Sequence, residues 1–385
     1  MSRKLFFIII IVLIVVIVGS LVYLLFFSNS PEKTTNNNIN PNPNPNPNPA
    51  PLPVSSTSPA PSTSTVPSVP SVSKVVQVIP NRVLGFALSR GEIVYFDQDL
   101  GSFYKAALDG QGAMTASTGK FTNVKNIIWS PDKSQAIMIF DNNDYYHYDL
   151  GTGKSTKLMP DISNLSWFPD GKKIVYQWNE TSNSAKIIVS NPDGSEWEEI
   201  RDLGYTKLIL GASPAVGGPA GMVQNYSATS GRNIYPFYID GSAGETISLK
   251  GYGERAKWSR KGERILFEAT DATSYENYLW VIDNTGTNQY NLGVKSFIEK
   301  CVWNREDEKI VCAVPSEPLN PSSEVTDAST DNFWEINTKT GEKRKLYDES
   351  ESDTKFDATN LWLNPTEDRL YFTDANGGVY ALRLD

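Results

Sequence analysis

WSPDKSQAIMIFDNNDYYHYDLGTGKSTKL, residues 129–158, is the stretch that decides the fold. Its tryptophan is followed by Ser-Pro-Asp, in which the proline fixes φ at a value suited to a tight turn. An apolar run over 135–140 and an aromatic run over 145–149 come next, separated by Asp and Asn. Short runs of β-branched and aromatic residues between turn residues are typical of β-strands. The stretch therefore predicts a strand that ends at the tryptophan, followed by further short strands.

The same series recurs along the chain. Strong copies open at Trp167, Trp258, Trp303 and Trp362, and weaker copies begin near Val83 and Leu208. Repeats of about 40–47 residues, each with four strands, indicate blades arranged around an axis. We therefore predict an all-β, seven-bladed β-propeller of four-stranded antiparallel blades. A six-bladed ring is the alternative, because the unit near Leu208 lacks the tryptophan.

The last unit supplies only three strands before Asp385. Residues 75–79 precede the first unit and read VVQVI, which is a strand pattern. We expect this N-terminal strand to pair with the last blade and close the ring, because closure protects sheet edges that would otherwise be open to aggregation.

The series of Trp-Ser-Pro-Asp, apolar strand, aromatic strand ending in Asp, Thr-Gly and Lys-Leu resembles the TolB-like (WD-repeat-like) propeller repeat. The resemblance covers about residues 75–385 and is strongest in units two, three and five. It departs in unit four, which lacks the tryptophan, and in unit six, where Asn304-Arg-Glu-Asp307 replaces the Pro-Asp turn. The resemblance implies a binding platform or an accessory domain that gates a hydrolase.

The first 73 residues differ in character from the rest. Residues 5–27 are apolar and uncharged, and the run is long enough for a transmembrane helix. Arg3 and Lys4 before it predict that residues 1–4 lie in the cytoplasm. The competing interpretation is a cleaved signal peptide, but the apolar run is longer than such peptides use. Residues 28–73, rich in Pro, Asn, Ser and Thr, predict a disordered stalk. The expected arrangement is a single-pass protein of the cell membrane with the propeller, 74–385, outside.

Composition excludes several functions. The net charge of −9 argues against a nucleic-acid partner, which requires clustered Lys and Arg. The segment GTGKST at 151–156 lacks the first glycine of a phosphate-binding loop, so we expect no nucleotide. His147 is the single histidine, and with two cysteines the chain lacks the ligands of a zinc site, so no metal or cofactor is expected. We interpret His147 as structural.

Cys301 and Cys312 flank the predicted hairpin of unit six. If residues 302 and 311 face each other, so do the two cysteines, at a separation that suits a cross-strand disulfide. An exported location permits the disulfide, and two buried thiols are the alternative.

Long loops carry the candidate binding residues. Loops between second and third strands, and those between blades, emerge on one rim of a propeller, and binding surfaces are usually built on such loops. An acidic rim with aromatic side chains would attract a basic segment or a cationic polymer. The candidates on this rim are Trp178, Glu180, Asp271, Tyr275, Glu276, Tyr278, Asp327, Asp331, Asp348, Glu349, Glu351 and Asp353.

The sequence thus favours a non-catalytic, extracytoplasmic binding platform for a protein, a peptide or an envelope polymer. One alternative is a glycan hydrolase or lyase that uses axial carboxylates, which for hydrolysis stand roughly 5–9.5 Å apart. The other alternative is a purely structural spacer.

Overall fold

The computed structural model describes residues 73–181, 184–204, 206–225, 233–250, 252–270, 276–317, 327–351 and 354–385. The predicted transmembrane helix and nearly all of the predicted stalk lie outside these residues. In the ranges described, no helix has both the length and the hydropathy needed to cross a membrane.

Seven four-stranded antiparallel sheets follow one another along the described chain, as the repeat predicts. The N-terminal strand is β1 (Val75–Ile79), and three blades follow it. Blade 1 contains β2 (Val83–Ser89), β3 (Glu92–Asp97), β4 (Ser102–Ala107) and β5 (Met114–Thr115). Blade 2 contains β6 (Val124–Trp129), β7 (Gln135–Phe140), β8 (Tyr145–Asp149) and β9 (Ser155–Lys157). Blade 3 contains β10 (Ile162–Trp167), β11 (Ile174–Thr181), β12 (Ser184–Ser190) and β13 (Glu198–Asp202).

Four more blades complete the ring. Blade 4 contains β14 (Thr206–Leu210), β15 (Gly221–Asn225), β16 (Asn233–Phe237) and β17 (Ile247–Ser248). Blade 5 contains β18 (Tyr252–Trp258), β19 (Arg264–Thr270), β20 (Asn277–Asp283) and β21 (Tyr290–Asn291). Blade 6 contains β22 (Cys301–Trp303), β23 (Lys309–Pro315), β24 (Asp331–Asn337) and β25 (Lys343–Tyr347). Blade 7 contains β26 (Ala358–Leu363), β27 (Arg369–Asp374) and β28 (Val379–Arg383). Two 3₁₀ turns, Ile298–Lys300 and Glu349–Glu351, lie between blades 5 and 6 and between blades 6 and 7.

The N-terminal strand completes blade 7. β1 pairs antiparallel with β28, so that Val75 faces Leu382 and Val76 faces Ala381. The sheet order is β1-β28-β27-β26, which supplies the fourth strand that the last unit lacks. The ring closure is confirmed, and the six-bladed alternative is wrong.

Three of the repeated tryptophans join their blade to the one before it. The indole N–H of Trp129 donates to the Gly85 carbonyl at 3.0 Å, and that of Trp258 donates to the Gly211 carbonyl at 2.9 Å. Trp167 donates in the same way to the Ile128 carbonyl at 3.2 Å. A buried indole N–H needs an acceptor, and the carbonyl of the preceding blade provides it. In blades 2, 3 and 5 the tryptophan therefore recurs because the junction with the preceding blade uses its N–H group.

In blade 7 the position equivalent to Trp129 is one residue later than the sequence repeat predicts. The backbone N–H of Asn364 donates to the Arg369 carbonyl, as that of Ser130 donates to the Gln135 carbonyl. The residue before Asn364 is Leu363, which therefore occupies the place that Trp129 holds in blade 2. Trp362 lies one residue early, and in a strand a shift of one residue moves a side chain to the other face.

Another side chain joins blade 7 to blade 1. The indole N–H of Trp362 donates to Asn360 Oδ1 within its own strand, at 3.1 Å. Asn360 Nδ2 donates in turn to the Phe86 carbonyl of blade 1, also at 3.1 Å. An amide side chain therefore contributes to the last junction of the ring.

The turn after the first strand of a blade needs a left-handed residue at its fourth position. Glycine fills this position in blades 3 and 5, with φ of 70° at Gly171 and 73° at Gly262. Blades 2, 6 and 7 use Lys133, Asp307 and Glu367, with φ of 65°, 58° and 56°. Non-glycine residues seldom adopt this conformation, so each of the three stores some backbone strain.

The unusual turn of unit six has a role between blades. Asp307 is buried, and its carboxylate accepts the backbone N–H groups of Arg260 at 2.8 Å and Lys261 at 3.0 Å. The side chain of Asp307 therefore satisfies two backbone N–H groups in the turn of blade 5. The free energy of these hydrogen bonds offsets the strain of the left-handed backbone at Asp307.

Apolar side chains of adjacent blades pack together in seven clusters within the described residues. In one of them Phe96 and Phe103 of blade 1 pack with Met138 and Tyr148 of blade 2. Each of the other six clusters likewise combines two neighbouring blades. Because the second strands are covered on both faces, no blade buries its apolar surface alone.

The cysteines of blade 6 face each other across the first hairpin. Cys301 on β22 pairs in register with Cys312 on β23, and the two Cα atoms are 4.1 Å apart. The structure joins them by a disulfide, fully buried in the cluster between blades 5 and 6. The predicted register of the hairpin is confirmed.

We predict that Gly262→Ala destabilises the propeller by roughly 2–3 kcal/mol, because a Cβ there adds a collision between blades to the cost of a left-handed residue. The new Cβ would lie 2.5 Å from Ser213 Oγ and 2.7 Å from the Ala215 backbone nitrogen. The control is Gly112→Ala, whose φ of 67° is similar and whose Cβ would meet no atom within 4 Å. It should cost only about 1 kcal/mol. Urea unfolding measures both, and equal losses would contradict the blade contact.

Candidate ligand cavity

A cavity of about 950 Å³ opens where the inner strands of five blades approach one another. Blades 1, 2, 5, 6 and 7 each contribute inner-strand residues to its wall: Phe86, Ile127, Lys257, Val302 and Leu361 are examples. A volume of this size accommodates a small ligand or a segment of a polymer. Since several blades share the wall, the cavity depends on the closed ring.

The charge of the wall is opposite to that of the chain. Its basic residues are Arg90, Lys133, Lys257, Arg260 and Arg305, and its acidic residues are Glu299 and Asp374. The whole chain has a net charge of −9. A concave site lined by one sign of charge concentrates ligands of the opposite sign. The wall therefore favours an anion.

Lys133 reaches from blade 2 to blade 7. Its ammonium donates to the Ser130 carbonyl at 2.9 Å and lies 5.1 Å from the centre of the Trp362 ring. The pKa of Lys133 is lowered to about 8, mainly by burial and also by the like charge of Arg260, while Asp132 acts in the opposite direction. Arg260 belongs to blade 5, so basic groups from separate parts of the ring affect each other electrostatically.

Lys257 is the second basic group with a shifted pKa. It lies on β18, and its ammonium donates to the Cys301 carbonyl of blade 6 at 2.7 Å. Burial lowers the pKa of Lys257 to about 8, although the nearby carboxylate of Glu299 acts in the opposite direction. A bound anion would favour the charged form of both lysines and recover part of this desolvation cost.

Two arginines occupy the position that proline holds in other turns. Arg260 and Arg305 directly follow the first turn residue of blades 5 and 6, as Pro131 does in blade 2. Arg305 donates to the Pro365 carbonyl at 2.7 Å, and its backbone N–H donates to the Glu367 carboxylate. Arg260 lies 4.0 Å from the same carboxylate. Blade 7 thus helps to orient both arginines.

Tryptophans form the aromatic part of the wall. The lining includes Trp129, Trp258, Trp303 and Trp362. Trp303 is buried, and its indole N–H has no hydrogen-bond partner in the described part of the chain. Aromatic walls with a few placed polar groups are typical of ligand cavities.

The acidic residues of the wall are held in local contacts. Glu299 lies 3.5 Å from the Arg255 guanidinium. Asp374 accepts the backbone N–H of Asp357 at 2.9 Å and the side-chain amide of Asn376 at 2.8 Å. Among the described residues, no group of three or more His, Cys, Asp or Glu side chains could hold a metal ion. The wall therefore presents basic groups more prominently than carboxylates.

His147 lies away from this cavity lining. Its Nε2 is 2.6 Å from Gln135 Oε1 on the neighbouring strand, and burial lowers its pKa. The side chain is nearly covered and packs beside Trp167 of blade 3. These contacts agree with the structural interpretation of this histidine.

Several of the rim candidates have basic partners of their own. Glu180 pairs with Lys186 and Glu276 with Lys295. Asp348 pairs with Lys345, whose hydrogen bond lowers the pKa of that carboxyl to about 2, and Glu349 pairs with Lys355. Lys186 and Lys295 also lie over the rings of Trp178 and Tyr278. The neighbouring lysines reduce the negative potential expected of this rim.

The remaining candidates divide into three groups. Asp327 is exposed, as expected of a rim residue. Asp331 is fully buried and paired with Lys300, so it lies beneath the surface instead of on it. Asp271, Tyr275, Asp353 and the side chain of Glu351 lie outside the described residues.

The basic turns lie at the opposite end of the blades from the rim candidates. Lys133, Arg260 and Arg305 belong to turns between first and second strands. The rim loops follow the second strands or join one blade to the next. In an antiparallel blade these two sets of connections are at opposite ends of the strands. The sequence interpretation missed the basic set, although its signal was present: arginine replaces the turn proline in units five and six.

We predict that Arg260→Gln raises the pKa of Lys133 above about 8, because it removes a like charge that disfavours the ammonium. The titration of the lysine ε-carbon, followed by NMR, measures the pKa. Arg344→Gln is the control, since Arg344 lies on the outer strand of blade 6 and is absent from the wall. An unchanged pKa of Lys133 in the Arg260 variant would show that the charge of Arg260 does not affect Lys133.

Neither a protein-family model nor a curated protein matches the chain. Solved structures do. An oligogalacturonate lyase in complex with manganese is 13% identical, with a TM-score of 0.59 over 81% of this chain and 93% of its own. An oligogalacturonate lyase from Vibrio parahaemolyticus is 14% identical, with the same score and coverage. The Cps50 (Swd1) β-propeller domain from Myceliophteria thermophila is 10% identical, with a TM-score of 0.55 over 80% of this chain and 98% of its own. TolB from Acinetobacter baumannii is 16% identical over 67% of this chain and 64% of its own, with a TM-score of 0.47. At these identities the matches above 0.5 show that the chain has a β-propeller fold, without placing it in a family.

Proposed function

We propose that the propeller is a non-catalytic binding module whose axial cavity holds an acidic oligosaccharide segment of an envelope polymer. The observation that carries the proposal is the basic, tryptophan-lined wall within an acidic chain. Arginines recognise carboxylates through paired hydrogen bonds, and lysines attract them as point charges. Aromatic side chains supply the apolar surface that covers the rest of a ligand.

Two solved structures with this fold support the choice of ligand class. Both are oligogalacturonate lyases, whose name specifies an acidic oligosaccharide. Their identity to this chain is 13% and 14%, so the likeness supports the proposal only as an analogy of fold.

The proposed location follows from the sequence. Residues 5–27 anchor the protein in the cell membrane, and residues 28–73 space the propeller from its surface. Arg3 and Lys4 favour a cytoplasmic N-terminus, which supports a location of the propeller on the envelope side of the membrane. A polymer of the envelope is thus within reach of the module.

A lyase is the second candidate function. Lys133 and Lys257, with pKa values of about 8, are suited to remove a proton near neutral pH. In a β-elimination the base takes the proton beside the sugar carboxylate, and the glycosidic oxygen leaves. Incubation with oligogalacturonate and measurement of unsaturated product separates the two functions. The binding module forms no such product.

We predict that the full-length protein in detergent binds an oligogalacturonate pentamer at least about tenfold more tightly than a neutral cellulose pentamer. Calorimetry measures both affinities. Lys133→Met and Lys257→Met should each weaken the acidic ligand about tenfold, because each removes a charge-assisted contact. The exposed Lys172→Met is the matched control and should change nothing. Equal affinity for the two pentamers would contradict the proposal.

We also predict that the affinity for the acidic pentamer falls about tenfold between pH 7 and pH 9. Both lysines have a pKa of about 8, so they lose their charge across this range unless the ligand holds it. The sugar carboxylate stays ionised throughout, which leaves the lysines as the titrating groups. A flat profile, or affinity that rises with pH, would show that these two lysines do not hold the anion.

A further inference from the structure

A buried lysine lies between two aspartates at the junction of blades 5, 6 and 7. Lys300 ends the 3₁₀ turn before β22, and its ammonium is 2.8 Å from Asp331 Oδ2 and 2.7 Å from Asp357 Oδ1. It also donates to Ser329 Oγ at 2.9 Å. The side chains of Lys300 and Asp331 are 0% exposed, and that of Asp357 is 18% exposed.

The environment favours the protonated form of Asp331. Burial raises the pKa of Asp331, although the Lys300 ammonium and several hydrogen bonds act in the opposite direction. Moving an ammonium and a carboxylate out of water is costly even when they pair. Transfer of one proton converts the two ions into an amine and a carboxylic acid, which are the reactants of an amide condensation.

Donors hold both oxygens of the Asp331 carboxyl group. The backbone N–H of Ala358 donates to Oδ2 at 2.7 Å, and the Ser329 hydroxyl donates to Oδ1 at 2.9 Å. Such donors withdraw electron density from the carboxyl carbon and stabilise the oxygen of a tetrahedral intermediate. The carboxyl group beside the lysine is therefore arranged as an electrophile.

Asp357 is placed to carry the proton. It contacts the Lys300 ammonium directly, and its Oδ1 lies 3.1 Å from Ser329 Oγ. Its partial exposure lets it exchange protons with solvent, unlike Asp331. A second carboxylate that touches the amine can accept a proton from nitrogen and return it to a leaving hydroxyl.

We propose that Lys300 and Asp331 form an intramolecular isopeptide bond. The Lys300 ammonium first transfers one proton to the Asp331 carboxylate, and the nitrogen lone pair of the resulting amine forms a bond to Cγ of Asp331. Asp357 then takes a second proton from the nitrogen of the tetrahedral intermediate and returns it to the hydroxyl. The carbon–oxygen bond to this hydroxyl breaks, and the hydroxyl leaves as water. The ammonium and the carboxylate are converted to an amide and one water, so the reaction needs no oxidant or added co-reactant.

The position of this bond gives it a structural consequence. The inner strand of blade 6, β22, has three residues, fewer than any other inner strand in the described chain. The disulfide already ties Cys301 to the second strand of the blade. The isopeptide bond would tie the preceding residue, Lys300, to the start of the third strand at Asp331. Two adjacent covalent links would then secure the shortest inner strand. This inference is independent of the proposed ligand.

The mass of the full-length protein, purified in detergent and reduced, tests the proposal. We expect a mass lower than the sequence mass by one water. After reduction, alkylation and trypsin, residues 296–305 should remain joined to residues 310–339, because trypsin does not cleave after an amidated Lys300. Reduction is essential, since the disulfide between Cys301 and Cys312 joins the same two peptides. A wild-type protein at its full sequence mass would refute the proposal, as would fragmentation that places the amide on Asp357.

Two variants test the chemistry. Asp357→Asn keeps the size of the side chain and removes the proton carrier, so it should show the full mass expected of that variant. Glu306→Gln, an exposed acid on the same blade, is the control and should still lose one water. Complete water loss in the Asp357 variant would overturn the role of Asp357.

Discussion

The fold depends on contact between neighbouring blades, because a single four-stranded sheet cannot cover both of its faces. Each apolar cluster combines residues of two blades, and the indole N–H groups of Trp129, Trp167 and Trp258 bind carbonyls of the preceding blade. These contacts favour a repeat in the sequence, since every junction needs apolar side chains from both of its blades. They also bring the inner strands of distant units together around the axis. The cavity is a product of that constraint.

The repeat made much of the architecture predictable. The apolar and aromatic runs of unit two correspond to β7 and β8, and the N-terminal strand pairs with β28 as expected. The prediction failed at Trp362, where alignment by residue type ignored the turn geometry that makes Leu363 the equivalent position. Local chemistry therefore predicts the strands well, whereas their register also depends on backbone hydrogen bonds that the sequence does not display.

The cavity was much less accessible from the sequence than the blades. Lys133 and Arg260 are far apart in the chain, and only ring closure brings their charges within reach of each other. The charge of the rim is hard to read from the sequence for a related reason. Counting acids predicts a negative surface, and the structure adds that Lys186 lies beside Glu180 and Lys295 beside Glu276. Net charge along a segment is a poor guide to the local field when neighbouring strands contribute the opposite sign.

The closing strand also connects the ring to the preceding residues of the chain. Because β1 begins at Val75 and pairs along its length with β28, a pull on the chain before residue 75 acts on that pairing first. The Arg383 backbone N–H donates to the Lys74 carbonyl, so the contact extends to the entry point itself. A pull directed along the strand would load these hydrogen bonds together, whereas a pull across the strand would break them one by one. The mechanical strength of the propeller would therefore depend on the direction of a pull on the chain before Val75.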